Sequence, residues 1–407
     1  MAAAKAEPVS TSTKRIAIIG AGPIGLEAAL YGATLGHEVQ VYERGRVGEN
    51  VLRWGHVSLF SPWAINHSSL GARALREAGK ALPALDAYMS GKKYVETYLR
   101  PLARTPRLVG RVQEGVQVGR DRIGKSFAAG LRERHVFRLL LQRSRGEELD
   151  EAEVVIDCSG TYGNYNFMGN GGLPALGERA LERRIPYVLV DLLGEAKPHY
   201  EGKRVLLVGD GHSAATALDA LLALAGTSVV WISRRDAQAP LPVIPGDPLP
   251  ERGRLSKRAN ELASGGEKRV EFRKATVIER VQERKDGFEI KVRTENTLDR
   301  LVVDRILAHV GYRPDNHIYR ELQVHECYAT LAPMRLAVEL ASANTVDCLA
   351  QTSKGAETLR NPEPSFYIIG AKSYGLNSNY LIRIGLEQVR EAYALIEGRL
   401  ELNLYDS

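Results

Sequence analysis

Two hexapeptides carry glycines at the spacing that lets a backbone close around phosphate: GAGPIG over residues 20–25 and GDGHSA over residues 209–214. In the first, Gly20 permits a tight turn, Gly22 lets a pyrophosphate approach the main chain, and Gly25 lets a helix, opened by Pro23 and Ile24, pack on the preceding strand. In the second, Gly209 and Gly211 repeat the first two roles, and His212, Ser213 and Ala214 lead into the next helix. The residue types beyond each turn differ. HEVQVYE ends on Glu43, with Arg44 beside it, at about the distance where a dinucleotide fold places the acid that binds a ribose hydroxyl. TSVVWISRR closes on Arg234 and Arg235, two guanidiniums that would pair with a ribose 2′-phosphate where an acid would repel it, so the second site favours NADPH over NADH. The plain alternatives are a glycine turn without a ligand and a solvated basic strand end.

Each turn needs a strand before it and a helix after it. RIAIIG is a continuous β-branched run of the kind carried by a parallel strand buried on both faces, and PIGLEAALYGATLG has apolar residues at helical spacing. KRVLLVG, SAATALDALLALAG and TSVVWISRR repeat the order strand, helix, strand. Two such sites on one chain suggest that hydride passes from one dinucleotide to another.

Composition narrows the surroundings. With 407 residues and 44% hydrophobic content, the chain can bury two cores of ordinary size, or one interrupted by the other. The 55 Lys and Arg against 49 Asp and Glu give a charge of +6, which suits polyanionic cofactors; without a dense basic run, zinc-finger or basic-helix pattern, nucleic acid is not expected as a partner. Cys158, Cys327 and Cys348 are odd in number and far apart, which argues against a disulfide framework and against a CxxC redox or metal pair. A cytoplasmic setting fits, and no metal is expected. MAAAKAEPVSTST lacks the apolar core of a signal peptide and no stretch is long and apolar enough to span a bilayer, so a soluble protein with a disordered tail over residues 1–13 is expected. No internal repeat is evident in the sequence.

From these motifs the sequence resembles the flavoproteins with two dinucleotide-binding domains, which include the pyridine-nucleotide disulfide reductases and the class B flavin monooxygenases. GAGPIG with Glu43 looks like their FAD site, and GDGHSA with WISRR looks like their NADPH site, closest to the GxGxSA form of the monooxygenases. VVIDCSGTYGN (154–164), which contains Gly160, is similar to the strand and turn by which such chains leave the FAD domain, and RILAHVGYRPDN (305–316) to the segment by which they return. SFYIIGAKSYG resembles the strand that approaches the flavin ribityl chain. The resemblance implies an α/β fold of two Rossmann-like dinucleotide-binding domains, the NAD(P)H domain (166–307) inserted in a discontinuous FAD domain (14–165 and 308–407). It also implies FAD and NADPH as cofactors and a small-molecule substrate; oligomeric state stays open, a homodimer included.

Departures from the family pattern bear on the reaction. Gly370, Ala371 and Lys372 stand where a Gly-Asp usually holds the ribityl chain, and IPYVLVDLLGEAKPHYEGK lacks the FxGxxxH fingerprint, leaving a Baeyer-Villiger activity unsupported. The expected activity is a monooxygenase that oxygenates a small nitrogen or sulfur nucleophile through a C4a-hydroperoxyflavin. The rival is an NADPH-dependent flavin reductase or dehydrogenase passing electrons to a quinone, a protein or an organic acceptor; a third reading is a binding or sensor protein that keeps FAD for structure.

The resemblance also points to further residues. LRWGHVSLFSPW (52–63) should pass near the isoalloxazine, which makes Trp54, His56 and Ser61 the catalytic candidates; the imidazole suits proton relay, and an aromatic core cluster is the plain alternative. Asn377 or Ser378, with Asn379 following, can cap the last helix, whose start in the family faces the flavin N1 and C2 oxygen. Gly370 and Lys372 are candidate ribityl neighbours, Val116 an adenine neighbour, and His212 a contact to NADPH. Arg252 and Arg254, after the proline-rich loop, could reinforce the 2′-phosphate site. Helices are expected within 71–85 and 91–104, and a charged turn at RSRGEELDEAEVV.

Overall fold

The computed structural model describes residues 12–125, 132–342 and 347–406; the tail expected over residues 1–13 lies, up to residue 11, outside the described residues. The chain first lays down β1 (Arg15–Ile19), α1 (Pro23–Thr34), β2 (Glu38–Glu43) and β3 (Val112–Glu114). An antiparallel sheet of β4 (Gln117–Lys125), β5 (Phe137–Arg143) and β6 (Gly146–Ala152) follows, and β7 (Val154–Asp157) returns beside β1. The order then recurs: β8 (Arg204–Val208), α2 (His212–Leu222), β9 (Ser228–Ile232), α3 (Pro250–Ala263) and β10 (Val270–Arg273). Next come an antiparallel meander of β11 (Thr276–Arg284), β12 (Gly287–Thr294) and β13 (Thr297–Val303), and then β14 (Arg305–Ala308). Finally β15 (Phe366–Ile368) and α4 (Ile382–Glu397) complete the first sheet and its helical layer.

The two parallel sheets run β15-β7-β1-β2-β3 and β10-β9-β8-β14. Their shared plan follows from strands that are apolar on both faces. On one face Ile16 and Ile18 pack with Leu26 and Leu30 of α1 and Val389 of α4, while Ala17 and Ile19 face Phe137, Leu139 and Leu141 of β5. In the second sheet Val205 and Leu207 pack on Leu218 of α2 and Leu262 of α3, while Leu206 and Val208 face Phe288, Ile290 and Val292 of β12. Each such buried Ile or Leu contributes roughly 1.5–3 kcal/mol. Each half is thus helices, parallel sheet, antiparallel sheet, a structural repeat that the sequence does not display. The α/β fold with two Rossmann-like units is as expected, and the second sheet lies in sequence between the strands of the first.

Two local expectations change. Over 71–85 the helix is shorter, Ser69–Glu77, and the charged run expected as a turn is strand β6, an edge strand whose exposed face takes the charges. In each parallel sheet the chain leaves the first strand for one neighbour and later returns on its other side, so the crevices beyond the carboxyl ends of β1 and β8 are where this architecture binds ligands.

Candidate functional site

The glycine turns sit at those two crevices and are built alike. Gly20 has φ +99° and donates to Tyr42 O at 2.8 Å; Gly209 has φ +117° and donates to Ile232 O at 2.9 Å. A Cβ on Gly20 would press on the carbonyl of Cys158, just past β7, and one on Gly209 on the carbonyl of His309, just past β14. Only glycine combines that φ with that approach. At the next glycines the situation reverses: a Cβ on Gly22 or Gly211 would meet nothing within 4 Å. Both are N-caps of helices whose first-turn amides receive no side-chain cap, which leaves open main-chain donors for phosphate. Gly25 abuts Gly20, and Ala214, fully buried, takes the corresponding place in the second turn.

Charge chemistry differs between the turns. Glu43 accepts from Ala21 N at 2.8 Å and from Gly45 N at 2.7 Å, which fixes its carboxylate at the mouth of the first turn with lone pairs to spare for ribose hydroxyls. Val116, buried, donates its amide to Glu43 O at 2.9 Å, and Arg44 beside it is exposed. At the second turn Arg235 Nε binds Asp210 Oδ2 at 2.6 Å and its Nη2 reaches Pro240 O at 2.8 Å, so its fork braces the loop, whereas Arg234 is exposed with no partner among the described residues. Sequence reasoning missed Asp210 as the brace; the acid inside GDG was the available signal.

The last strand and helix close on the first turn. Gly370 stands 3.5 Å (as a Cβ) from Ile24, and Gly385, in the first turn of α4, lies against Ile24 and the Tyr380 hydroxyl. The hydroxyls of Tyr374 and Tyr380 are buried with no partner among the described residues, and burial pushes the Tyr380 phenol well up. The orphaned Tyr380 hydroxyl, beside Ile24 of the open glycine turn, fits a polar cofactor, and the sequence reading missed both tyrosines. Two expectations are corrected here. Lys372 does not face a cofactor: its ammonium spends its three donors on Asp157 Oδ2 (2.6 Å), Asp315 O (2.8 Å) and Ser159 Oγ (3.1 Å). Asn377 and Ser378 do not cap the last helix, because Asn377 Oδ1 accepts from Asn379 N at 2.9 Å in a local turn and the helix starts later, at Ile382, after Leu381.

The segment 52–63 splits its three candidates. Trp54 is half-buried against Gly91, its ring 6.4 Å from that of Tyr162; His56 is exposed; Ser61 is buried and donates to Asn66 Oδ1 at 2.9 Å. No hydrogen bond joins the three among the described residues. Phe60 instead meets His212 across the two halves, ring centroids 5.7 Å apart, and His212 Nε2 lies 3.3 Å from Ser256 Oγ. Burial, and then Arg252, hold that imidazole below its ordinary pKa, hence neutral. Ser213 is exposed in the first turn of α2, and Gly160, at φ +69°, is open above β7. Arg252 acts on His212 electrostatically but its guanidinium is spent on Asp247 (2.6 Å) and Asp347 (3.0 Å), and Arg254 pairs with Glu251 and Asp219. The three cysteines are free thiols, and burial raises Cys158 well above the usual thiol range.

Residues 15–48 match the family model described as pyridine nucleotide-disulphide oxidoreductase. Over about 95% of its length the chain is similar to solved structures of the same architecture. The bacillithiol disulfide reductase Bdr (YpdA) from Bacillus cereus is 18% identical, with 95% of this chain and 100% of that one covered at a TM-score of 0.69. The fold is that of the two-domain FAD/NAD(P)H oxidoreductases. Ornithine hydroxylase (PvdA) from Pseudomonas aeruginosa shares it at 16% identity, with 96% and 100% covered and a TM-score of 0.63. The thioredoxin reductase of T. acidophilum does so at 14% identity, with 95% and 98% covered and a TM-score of 0.61. No curated protein sequence matches the chain. Among the described residues no helix is long and apolar enough to cross a membrane.

Proposed function

We propose that this chain is an FAD-dependent oxidoreductase that takes hydride from NADPH and passes the electrons to a small organic, quinone or protein acceptor. The observation that carries the reading is one backbone device used twice, each time with an open second glycine, ending once on the carboxylate of Glu43 and once on the guanidinium of Arg234. When bound, FAD would supply hydride acceptance and onward electron transfer. The chain's own groups have distinct tasks. Amides at the starts of α1 and α2 hold phosphates, Glu43 holds ribose hydroxyls, and Arg234 reads the 2′-phosphate. The uncapped start of α4 offers amides to the negative charge that reduction places on the flavin. FAD is held by residues 14–165 and 308–407, NADPH by 166–307.

A reductase or dehydrogenase is favoured over the monooxygenase expected from the GxGxSA turn. The matched family model is that of the disulphide oxidoreductases, and reductases stand beside hydroxylases among the similar folds. With Cys158, Cys327 and Cys348 all free and no CxxC in the sequence, the chain offers no dithiol relay, so the acceptor reaches the flavin directly.

The test is anaerobic mixing of the FAD-loaded protein with NADPH, followed by quinone or ferricyanide. Bleaching of the flavin and sustained turnover without oxygen is the expected result. A flavin that NADPH leaves oxidised would mean a binding or sensor protein. NADPH use in air that matches, mole for mole, oxygenation of an amine or thiol would restore the monooxygenase.

A further inference from the structure

Arg44 and Arg53 bring their guanidiniums to one point of backbone. Gly163 sits there with φ +96°, and a Cβ on it would lie 3.2 Å from Arg44 Nη2 and 3.8 Å from Arg53 Nη1, which puts those nitrogens within about 7 Å of each other. Nearby Arg46 pairs with Glu49 at 3.0 Å, and Arg53 also acts on that carboxylate from farther off, but neither Arg44 nor Arg53 makes a salt bridge among the described residues. With Arg46, three guanidiniums stand near the single carboxylate of Glu49, and the surplus positive charge makes a place where an anion is stabilised.

What lies beside the pair is aromatic. Trp54 rests the six-membered edge of its indole on Gly91, so the N–H edge faces away from that contact, and Nε1 is buried with no acceptor among the described residues. The Tyr162 ring is 6.4 Å from that of Trp54 and 4.7 Å from that of Tyr312, and Tyr162 is 40% exposed. Tyr312 already donates its hydroxyl to Tyr187 O at 3.1 Å, so it offers a ring face. The two guanidiniums and the indole N–H are donors only, and the Tyr162 hydroxyl can donate as well. Such a set recognises a group that only accepts, a carboxylate, sulfonate or phosphate, and the rings suit a flat apolar body attached to it.

A phosphate of FAD has the same acceptor chemistry. It already has the open amides after Gly22, however, and the exposed Tyr162 ring leaves the arginine pair accessible from solvent. We propose that Arg44 and Arg53 clamp the anionic group of a flat organic substrate, with the rings of Tyr162 and Tyr312 against its body. This takes Arg44 away from the FAD contact expected of it, and it rests on the reading of the chain as an oxidoreductase with a small organic acceptor.

The test is calorimetric binding of 2-naphthoate and of its neutral counterpart 2-naphthylmethanol to the oxidised, FAD-loaded protein. Naphthoate should bind about tenfold more tightly than the alcohol, with the gap shrinking as salt is raised. Arg53→Gln should close the gap with FAD content unchanged, and Arg53→Lys should keep part of it, because a point charge remains where the fork is lost. Equal affinities in the parent protein, or a gap that survives in Arg53→Gln, would overturn the clamp. Loss of FAD from Arg53→Gln would also overturn it, by assigning the anion to the dinucleotide. NADPH reduction of the parent flavin is read separately, so a protein that shows the gap but is never reduced keeps the clamp and loses the proposed function.

Discussion

Lys372 and Asp157 form an ion pair at 2.6 Å with both side chains fully buried. It ties the end of β7 to the turn after β15, and Asp157 Oδ1 also accepts from Ser159 N at 2.9 Å, so one carboxylate holds two strand ends beneath the first glycine turn. Lys372→Met keeps the stem and removes the charge, leaving a buried carboxylate uncompensated, which should cost about 3–5 kcal/mol. Adding Asp157→Asn should recover part of that loss. Urea midpoints of the two variants measure it; a Lys372→Met protein as stable as the parent would show that the pair is dispensable.

Gly22 and Gly209 should fail in different ways. Gly22 has φ −79° and free space where a Cβ would go, so Gly22→Val should fold and lose bound FAD. Gly209→Val places a side chain at φ +117° and into the His309 carbonyl, so it should lower stability before it affects binding. Flavin absorbance per chain, with circular dichroism as the folding control, separates the two. Full FAD occupancy in a folded Gly22→Val protein would refute the first-site assignment.

The sequence made the two turns legible because glycine spacing, a continuous apolar strand and a terminal charge are local properties. Glu43 and the contrast with Arg234 followed from position alone. What it did not disclose depends on tertiary partners. Lys372 turned inward because Asp157, more than two hundred residues earlier, ends the adjacent strand. Arg252 turned away because Asp347 approaches from the last third of the chain. Tyr374 and Tyr380 carry no motif and stand out only as buried hydroxyls. The repeated three-layer plan was hidden because packing constrains which positions are apolar and leaves the identity of each side chain free.

The two arginines after β9 should separate on substitution. Arg234→Ala should raise the KM for NADPH about tenfold or more and leave that for NADH nearly unchanged, since its guanidinium has no structural partner among the described residues. Arg235→Ala removes the brace between Asp210 and Pro240 and should weaken both nucleotides together. Equal losses for NADPH and NADH in Arg234→Ala would show that it does not read the 2′-phosphate.

Glu27, on α1 just past the first turn, is 1% exposed. Burial raises its carboxyl from 4.5 to about 7, while the hydroxyls of Ser68, Tyr405 and Tyr98 pull the other way. A carboxyl that holds its proton longer in the folded chain than in the unfolded one makes stability fall as pH rises from 4.5 to about 7, because the folded state binds the extra proton across that window. The shift corresponds to roughly 3 kcal/mol lost between those limits, with no further change from this group at higher pH. Glu27→Gln keeps the shape without the titration, so its stability relative to the parent should rise from pH 5 to pH 8 as the parent's own falls. Parallel urea-midpoint profiles for the two proteins across that range would mean that Glu27 ionises in the fold as freely as it does in the unfolded chain.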